Sequence, residues 1–160
     1  MKNWMAKTCL VLCFFSAAAC SKPALYGSLQ ESPPIIKYYQ VPKADSFRAA
    51  KEALVFLGYS VKQEDLTQGI IETYWQPATA DSHYVYVFGR KDYGTVGAYY
   101  RIVVKVSDRA NGGSEVSITN AAKSYISNLK SSQEEESKIF AKIDDFTRKR
   151  DIQVTNIGLQ

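Results

Sequence analysis

The sequence predicts an α+β fold, a two-layer sandwich in which an antiparallel meander sheet carries two helices on one face. Residues 45–58 and 132–150 have apolar side chains at helical spacing between recognisable start and stop signals. The chain between them alternates apolar and polar residues over several short runs, as half-buried strands do. Because a block of antiparallel strands separates the two helices, both are expected to cover the same face of the sheet.

The first strand, helix and hairpin are predicted from local patterns. Residues 35–41 are rich in strand formers and end at Pro42, which is typical of an edge strand. Residues 59–65 and 70–76 are expected to form a hairpin around residues 67–69. The helix between them has Asp45 or Ser46 as its cap, Gly58 after its last turn, and a core stripe of Phe47, Ala50, Leu54 and Leu57.

The remaining strands and the second helix follow in order. Residues 82–89, 98–107 and 115–125 alternate as strands, with Asn111, Gly112 and Gly113 in a turn. Ser132 and Glu135 have the spacing of a capping box, and the helix they start has the core stripe Ile139, Ile143 and Phe146. This helix is expected to end near residue 150, with a last short strand over residues 152–159.

The N-terminus carries a predicted export signal. The apolar run 9–20 follows Lys2 and Lys7 and is too short to span a bilayer, so residues 1–19 are expected to be a signal peptide. The stretch 15–20, Phe-Ser-Ala-Ala-Ala-Cys, resembles the lipobox of bacterial lipoproteins. That resemblance implies that Cys20 is acylated, and Ser21 after it implies the outer membrane of a Gram-negative bacterium.

An ordinary secretory signal is the alternative. Ala17, Ala18 and Ala19 also fit a conventional cleavage site, which would leave a soluble periplasmic protein with a free Cys20. In either case residues 20–34, rich in proline and serine, are expected to be a flexible tether, and residues 35–160 a single periplasmic domain. The element order over residues 35–157 resembles that of accessory lipoproteins of envelope assembly machineries, such as the C subunit of the β-barrel assembly machinery.

Several function classes are disfavoured by composition. Removal of residues 1–19 takes away two lysines and no acid, and a net charge of about +2 is not typical of nucleic-acid binding. His83 is the single histidine, and Cys20 would be blocked by lipid, so the chain offers no triad or metal-ligand set. We therefore expect no enzyme activity, no metal and no cofactor, and we interpret His83 as an exposed or core-edge residue.

Aromatic residues cluster in the middle of the chain. Tyr84, Tyr86 and Phe88 would share one strand face if Val85 and Val87 pack beneath the helices. The predicted binding surface consists of Tyr84, Tyr86, Phe88, Arg90, Tyr93, Tyr99 and Arg101. The main hypothesis is that it binds another envelope protein. The alternatives are a small-ligand or glycan binder that stacks its ligand on the aromatic face, an enzyme acting on cell-wall material, or an aromatic face packed inside the fold.

Overall fold

The computed structural model describes residue 25 and residues 27–93, 97–110 and 112–155. The predicted signal peptide, Cys20, Asn111 of the predicted turn and residues 156–159 of the predicted last strand lie outside this range. The elements are β1 (Ser28–Glu31), β2 (Ile35–Tyr39), α1 (Lys43–Phe56), β3 (Val61–Asp65), β4 (Ile70–Thr73), β5 (Gln76–Pro77), β6 (His83–Val87), β7 (Arg90–Tyr93), β8 (Tyr99–Asp108), β9 (Ser114–Ser124), β10 (Lys130–Ser131) and α2 (Glu134–Thr155).

The main sheet is antiparallel and has seven strands, in the order β1-β9-β8-β4-β3, with β2 also on β9 and β5 on β8. Its centre is the long β8–β9 pair, in which Val104 lies opposite Ile118 and Val106 opposite Val116. These four side chains are fully buried. The helices α1 and α2 pack over this face, so the predicted α+β class, an antiparallel sheet with two helices on one face, is confirmed.

The sheet begins earlier than expected. β1 pairs with the end of β9, with Ser28 opposite Ser124 and Glu31 opposite Ala121, whereas these residues were predicted to belong to the tether. β2 pairs with the other half of the same strand, which puts it at the sheet edge as predicted. Leu29 is exposed and no side chain of β1 is buried. β1 therefore joins the sheet through its backbone, and its sequence shows no alternation of apolar and polar residues.

Residues 82–89 do not join the main sheet. β6 forms a separate three-stranded sheet in the order β10-β6-β7, and residues 90–93, for which no strand was predicted, pair with it as β7. We call this element the small sheet. Phe88 and Gly89 form the turn of its hairpin, so the strand ends one residue before Phe88. His83 of β6 contacts Tyr100 of β8 and Asn120 of β9. The small sheet therefore covers the part of the main sheet that the helices leave open.

The helix ends differ in three places from the sequence predictions. α1 starts after Pro42 with no side-chain cap, because Asp45 lies inside the first turn and the hydroxyl of Ser46 is bonded to that of Ser114. In α2 the carboxylate of Glu135 accepts hydrogen bonds from Tyr59 and Lys138 instead of closing a capping box. α2 also continues to Thr155, so residues 152–155 are helical rather than part of a last strand.

Candidate functional site

The two faces of the small sheet have different surroundings. His83 is 1% exposed, and Val85 packs against the core. Alternate residues of a strand point to opposite faces, so Tyr84 and Tyr86 point away from the core. Tyr86 exposes 55% of its surface, and Tyr84 is half-buried. The predicted alternation therefore holds for Tyr84, Val85 and Tyr86, in a different sheet from the one expected, but Val87 is exposed instead of packing beneath the helices.

The outward side of the small sheet carries a cluster of aromatic and cationic side chains. We call it the tyrosine face, and it comprises Tyr84, Tyr86, Lys91, Tyr93 and Lys130. Tyr84 lies opposite Tyr93 and Tyr86 opposite Lys91 in the hairpin register, and Lys130 of β10 lies opposite Tyr84. The Tyr84 ring is 5.4 Å from that of Tyr86 and 5.6 Å from that of Tyr93.

Two ammonium groups hold these rings in place. The Nζ atom of Lys91 is 4.7 Å from the ring centroid of Tyr84, and that of Lys130 is 5.3 Å from the centroid of Tyr86. Each such contact contributes about 0.5–1 kcal/mol at an exposed site. Because the rings are already held by their neighbours, a ligand that binds here immobilises fewer free side chains, which reduces the entropic cost of binding.

The seven predicted binding residues do not form one surface. Tyr84, Tyr86 and Tyr93 lie together, but Phe88 is in the hairpin turn with a φ of 48°, and Arg90 lies opposite Val87 on the other side of the hairpin. Tyr99 and Arg101 belong to β8 of the main sheet. Arg101 is bonded to Glu72, and its guanidinium lies 4.9 Å from the Trp75 ring. Its interactions therefore stabilise the outer face of the main sheet.

A groove lies next to the tyrosine face. It has a volume of about 410 Å³ and is lined by residues 30–33 at the end of β1, by Tyr84, by residues 128–131 and by Gln133. Asn128 and Gln133 have φ values of 62° and 68°, a conformation that few residues other than glycine adopt. Neither Lys130 nor this groove was predicted from the sequence, because residues 30–33, 84 and 128–133 come together only through strand pairing.

A second concave surface lies between the helices. It has a volume of about 550 Å³ and is lined by Arg48, Lys51, Glu52, Val55, Phe56 and Phe146. The ring of Phe56 packs edge-on against Phe146 at 6.1 Å, and Lys142 lies 4.7 Å from the Phe56 centroid.

Beneath the small sheet runs a buried chain of hydrogen bonds. The Ser82 hydroxyl is 2.9 Å from Nδ1 of His83, and Nε2 of His83 is 3.2 Å from Oδ1 of Asn120. Asn120 donates to Ser131, and Ser131 donates to Glu136 at 2.7 Å. A neutral His83 with its proton on Nε2 donates to Asn120, while its Nδ1 shares the single proton of the Ser82 hydroxyl with the Thr79 carbonyl, which lies 2.9 Å from that hydroxyl. This chain joins the small sheet, β9 and the start of α2, and neither the groove nor the surface between the helices is lined by His83, Asn120 or Glu136.

A second buried cluster lies beside it. Burial, together with hydrogen bonds to Tyr100 and Glu135, raises the pKa of Tyr59 well above its usual value, and burial raises that of Tyr100. Burial disfavours the charged form of Glu135, but hydrogen bonds from Lys138 and Tyr59 outweigh it and lower the pKa of this carboxyl. Both tyrosines therefore stay protonated and Glu135 stays ionised near neutral pH.

His83 is expected to make stability depend on pH. Burial lowers its pKa from 6.5, an effect that outweighs the opposing hydrogen bond to Asn120 and the charge of Glu135. Between the folded-state pKa and about pH 6.5, His83 is protonated in the unfolded chain but neutral in the folded chain. The stability that depends on neutral His83 is therefore fully present above about pH 6.5. It is lost as the pH falls toward the folded-state pKa, by up to about 1.4 kcal/mol per pH unit.

Urea unfolding between pH 5 and pH 7 measures this slope, and His83→Gln is the matched variant because its amide keeps a donor. The parent should lose stability toward pH 5, whereas the variant should show a flatter profile. An equal slope in both proteins would contradict the assignment of the titration to His83.

Asn120 is expected to be the most sensitive member of the buried chain. Asn120→Ala removes the partner of the buried Nε2 of His83, and a buried unsatisfied group costs about 1–3 kcal/mol, whereas Ser131 keeps its bonds to Glu136 and Gln133. The free energy of unfolding should fall by about 2 kcal/mol. Thr119→Ala on the outer face of the same strand is the control, and its cost should be about 1 kcal/mol or less. Equal losses in the two variants would contradict a special role of the buried chain.

The described residues contain neither a membrane-spanning helix nor a metal-binding cluster. No described helix is both long enough and apolar enough to cross a membrane. No group of three or more histidine, cysteine, aspartate or glutamate side chains in the same residues is arranged to hold a metal ion.

Comparison with known proteins assigns no family. No protein-family model matches the chain, and no curated protein matches it. Among solved structures, one match is the crystal structure of Ara h 8.0201, with a TM-score of 0.36 and 9% sequence identity over 76% of this chain and 99% of that chain. A likeness of this size indicates neither a ligand nor a partner for this chain.

Proposed function

We propose that this protein is a non-enzymatic, lipid-anchored module of the bacterial outer membrane that binds another envelope protein through the tyrosine face. The observation that carries the proposal is the outward cluster of Tyr84, Tyr86 and Tyr93 with two lysines on a sheet beside the main core. Tyrosine is enriched at protein interfaces because one ring provides a large apolar area and a hydroxyl for hydrogen bonding.

The edge of the small sheet supports a protein partner. β7 is the outer strand of that sheet, and its four residues are all exposed. An extended segment of a partner can pair with such an edge, while the neighbouring side chains provide specificity. Arg90, Lys91 and Asp92 place charges along this edge, which disfavours indiscriminate strand pairing. A partner would therefore need acidic and apolar residues that match the tyrosine face.

The anchor is proposed from the lipobox resemblance of residues 15–20. Acylation of Cys20 would hold the domain at the membrane surface and restrict it to partners in the same envelope layer. An anchored protein needs only moderate affinity, because the shared surface raises the effective concentration of its partner.

Site-specific photo-crosslinking in the native host tests the binding face. A benzophenone amino acid at Tyr86 or Tyr93 should give one discrete adduct, whereas the same group at Tyr74, an exposed tyrosine outside the small sheet, should not. With Tyr86→Ala present, the adduct formed from position 93 should fall, since loss of a central interface tyrosine costs about 2 kcal/mol, or roughly thirtyfold in affinity. Equal adducts at positions 74, 86 and 93, or none, would contradict the proposal.

A small-ligand or glycan binder is the second candidate. The groove of about 410 Å³ favours it, because Tyr84 offers a ring for stacking and Gln30, Glu31 and Gln133 line the same groove. Calorimetric titration of the purified protein with cell-wall glycan fragments separates the two readings. Saturable heat that Tyr84→Ala abolishes, without a crosslinked protein, would favour the ligand.

A further inference from the structure

The tip of the small-sheet hairpin combines strain with complete exposure. Phe88 has a φ of 48° and Gly89 a φ of 77°, as in the mirror-image turns that favour asparagine followed by glycine. The Phe88 side chain is fully exposed, at 101% of its reference area, and its neighbour Val87 is also exposed. A phenylalanine therefore occupies a position where it contributes no packing to the domain and fits the backbone poorly.

The hairpin tip lies at the end of the domain where the N-terminal segment enters. Gly27 packs against the backbone of Ser124 and Tyr125. Gln30 is bonded to the backbone of Ile126 and Leu129, which ties the loop after β9 to β1. Ser127 and Asn128 line a small cavity together with Val85 and Tyr86. A continuous set of contacts thus leads from the chain entry to β6, the strand that immediately precedes Phe88.

The same end exposes other apolar side chains. Tyr125 is 74% exposed and Ile126 is 38% exposed, and both lie in the loop beside Gly27. Arg90 and Lys91 follow the hairpin tip directly, and Lys130 lies beside Tyr86, against one acid, Asp92, on the same hairpin. Aromatic and aliphatic side chains surrounded by cations are typical of surfaces that contact anionic lipid headgroups.

The covalent distance to the predicted anchor is short. Cys20 precedes Gly27 by seven positions, and a fully extended chain of that length spans at most about 25 Å. An acylated Cys20 would therefore hold this end of the domain near the bilayer.

We infer that this end of the domain docks on the anionic membrane surface that carries the anchor, with the Phe88 side chain inserted among the lipid headgroups. The inference rests on the anchor in the proposed function and adds a contact made by the folded domain itself. The tyrosine face, whose Lys91 and Lys130 lie beside this contact, would then be close to the membrane, where a partner in the same envelope layer can reach it.

Tryptophan depth measurements test this contact. The acylated protein is reconstituted into vesicles of phosphatidylethanolamine and phosphatidylglycerol that contain brominated lipid, which quenches indole emission only on contact. Phe88→Trp is compared with Leu66→Trp, since Leu66 is an exposed apolar residue in the β3–β4 turn. That turn contacts Val106, which lies about 24 Å along β8 from Tyr99. Tyr99 pairs with Lys123 near the end of β9, where the N-terminal segment enters, so the control lies toward the opposite end of the main sheet. The native Trp75 signal is subtracted using the parent protein.

The expected result is that position 88 loses most of its added emission and position 66 loses little, with less quenching when the vesicles lack phosphatidylglycerol. Equal quenching at the two positions, or none at position 88, would overturn the inference. A spectral shift at position 88 that depends on protein concentration and needs no vesicles would overturn it too, and would indicate a second copy of the chain.

The two proposals can fail separately. An unacylated chain, detected by mass before reconstitution, removes the anchor on which both depend. An acylated protein without quenching at position 88 overturns the membrane contact alone. Crosslinking from Tyr86 and Tyr93 is repeated with Phe88→Asn, a substitution that suits the turn, and adducts that persist there keep the tyrosine face as a separate protein-binding surface.

Discussion

Cys20→Ala is expected to release the protein from the membrane fraction and to remove the acyl mass from its N-terminus. Each methylene of a buried acyl chain contributes about 0.8 kcal/mol, so two or three long chains make attachment effectively permanent, whereas their loss leaves only the weak contacts of the domain surface. Intact mass of protein extracted from native membranes, together with fractionation of parent and variant, measures the change.

The control for this prediction lies in the same N-terminal segment. Cys13 belongs to the predicted signal peptide, so Cys13→Ala should leave both the mature mass and the membrane fraction unchanged. A soluble parent chain that begins with an unmodified Cys20 would contradict the anchor. That outcome would leave a free periplasmic domain and would favour the ligand-binding alternative over the accessory module.

Gly69→Ala is expected to cause the largest loss of stability among single-methyl additions to the described glycines outside the N-terminal segment. Gly69 has a φ of 72°, and a Cβ atom there would lie 1.9 Å from the carbonyl oxygen of Val106. The Val106 amide also donates to the Gly69 carbonyl at 2.7 Å, so the two backbones cannot separate without breaking this bond. The left-handed conformation and the clash together should cost about 3 kcal/mol or more.

Gly58→Ala is the matched control. Gly58 has a φ of 85°, but a Cβ atom there would meet nothing within 4 Å, so only the conformational cost of about 1 kcal/mol applies. Urea unfolding of both variants against the parent measures the difference. Equal losses would show that the close approach to Val106 does not constrain the turn.

The helices and the central strands could be predicted because burial leaves a local trace in their sequences. Ala50, Leu54, Ile139 and Ile143 recur at helical spacing, and each is fully buried. The alternation in β8 and β9 likewise matches the buried faces of the observed strands. β1 escaped prediction because it pairs through its backbone at the sheet edge and carries no buried side chain.

The candidate site was predictable only in part. The outward placement of Tyr84 and Tyr86 follows from alternation once Val85 packs on the core. Lys130 joins them from a position 46 residues after Tyr84, through a two-residue strand that has no periodic pattern of its own. Glu135 had the spacing of a capping residue, but the hydroxyl of Tyr59, a core residue far away in sequence, binds its carboxylate instead.

The sequence by itself determined the two-layer α+β class, the apolar stripes of both helices, the central hairpin and the left-handed residue after α1, because each depends on neighbours within a few positions. Only the tertiary structure decided that residues 83–87 form a separate sheet, that His83 is buried in a hydrogen-bonded chain, and that the hairpin tip lies beside the N-terminal entry. These features depend on contacts between residues about 40 to 100 positions apart. Such contacts produce no periodic pattern in the local sequence, so the sequence alone does not predict them.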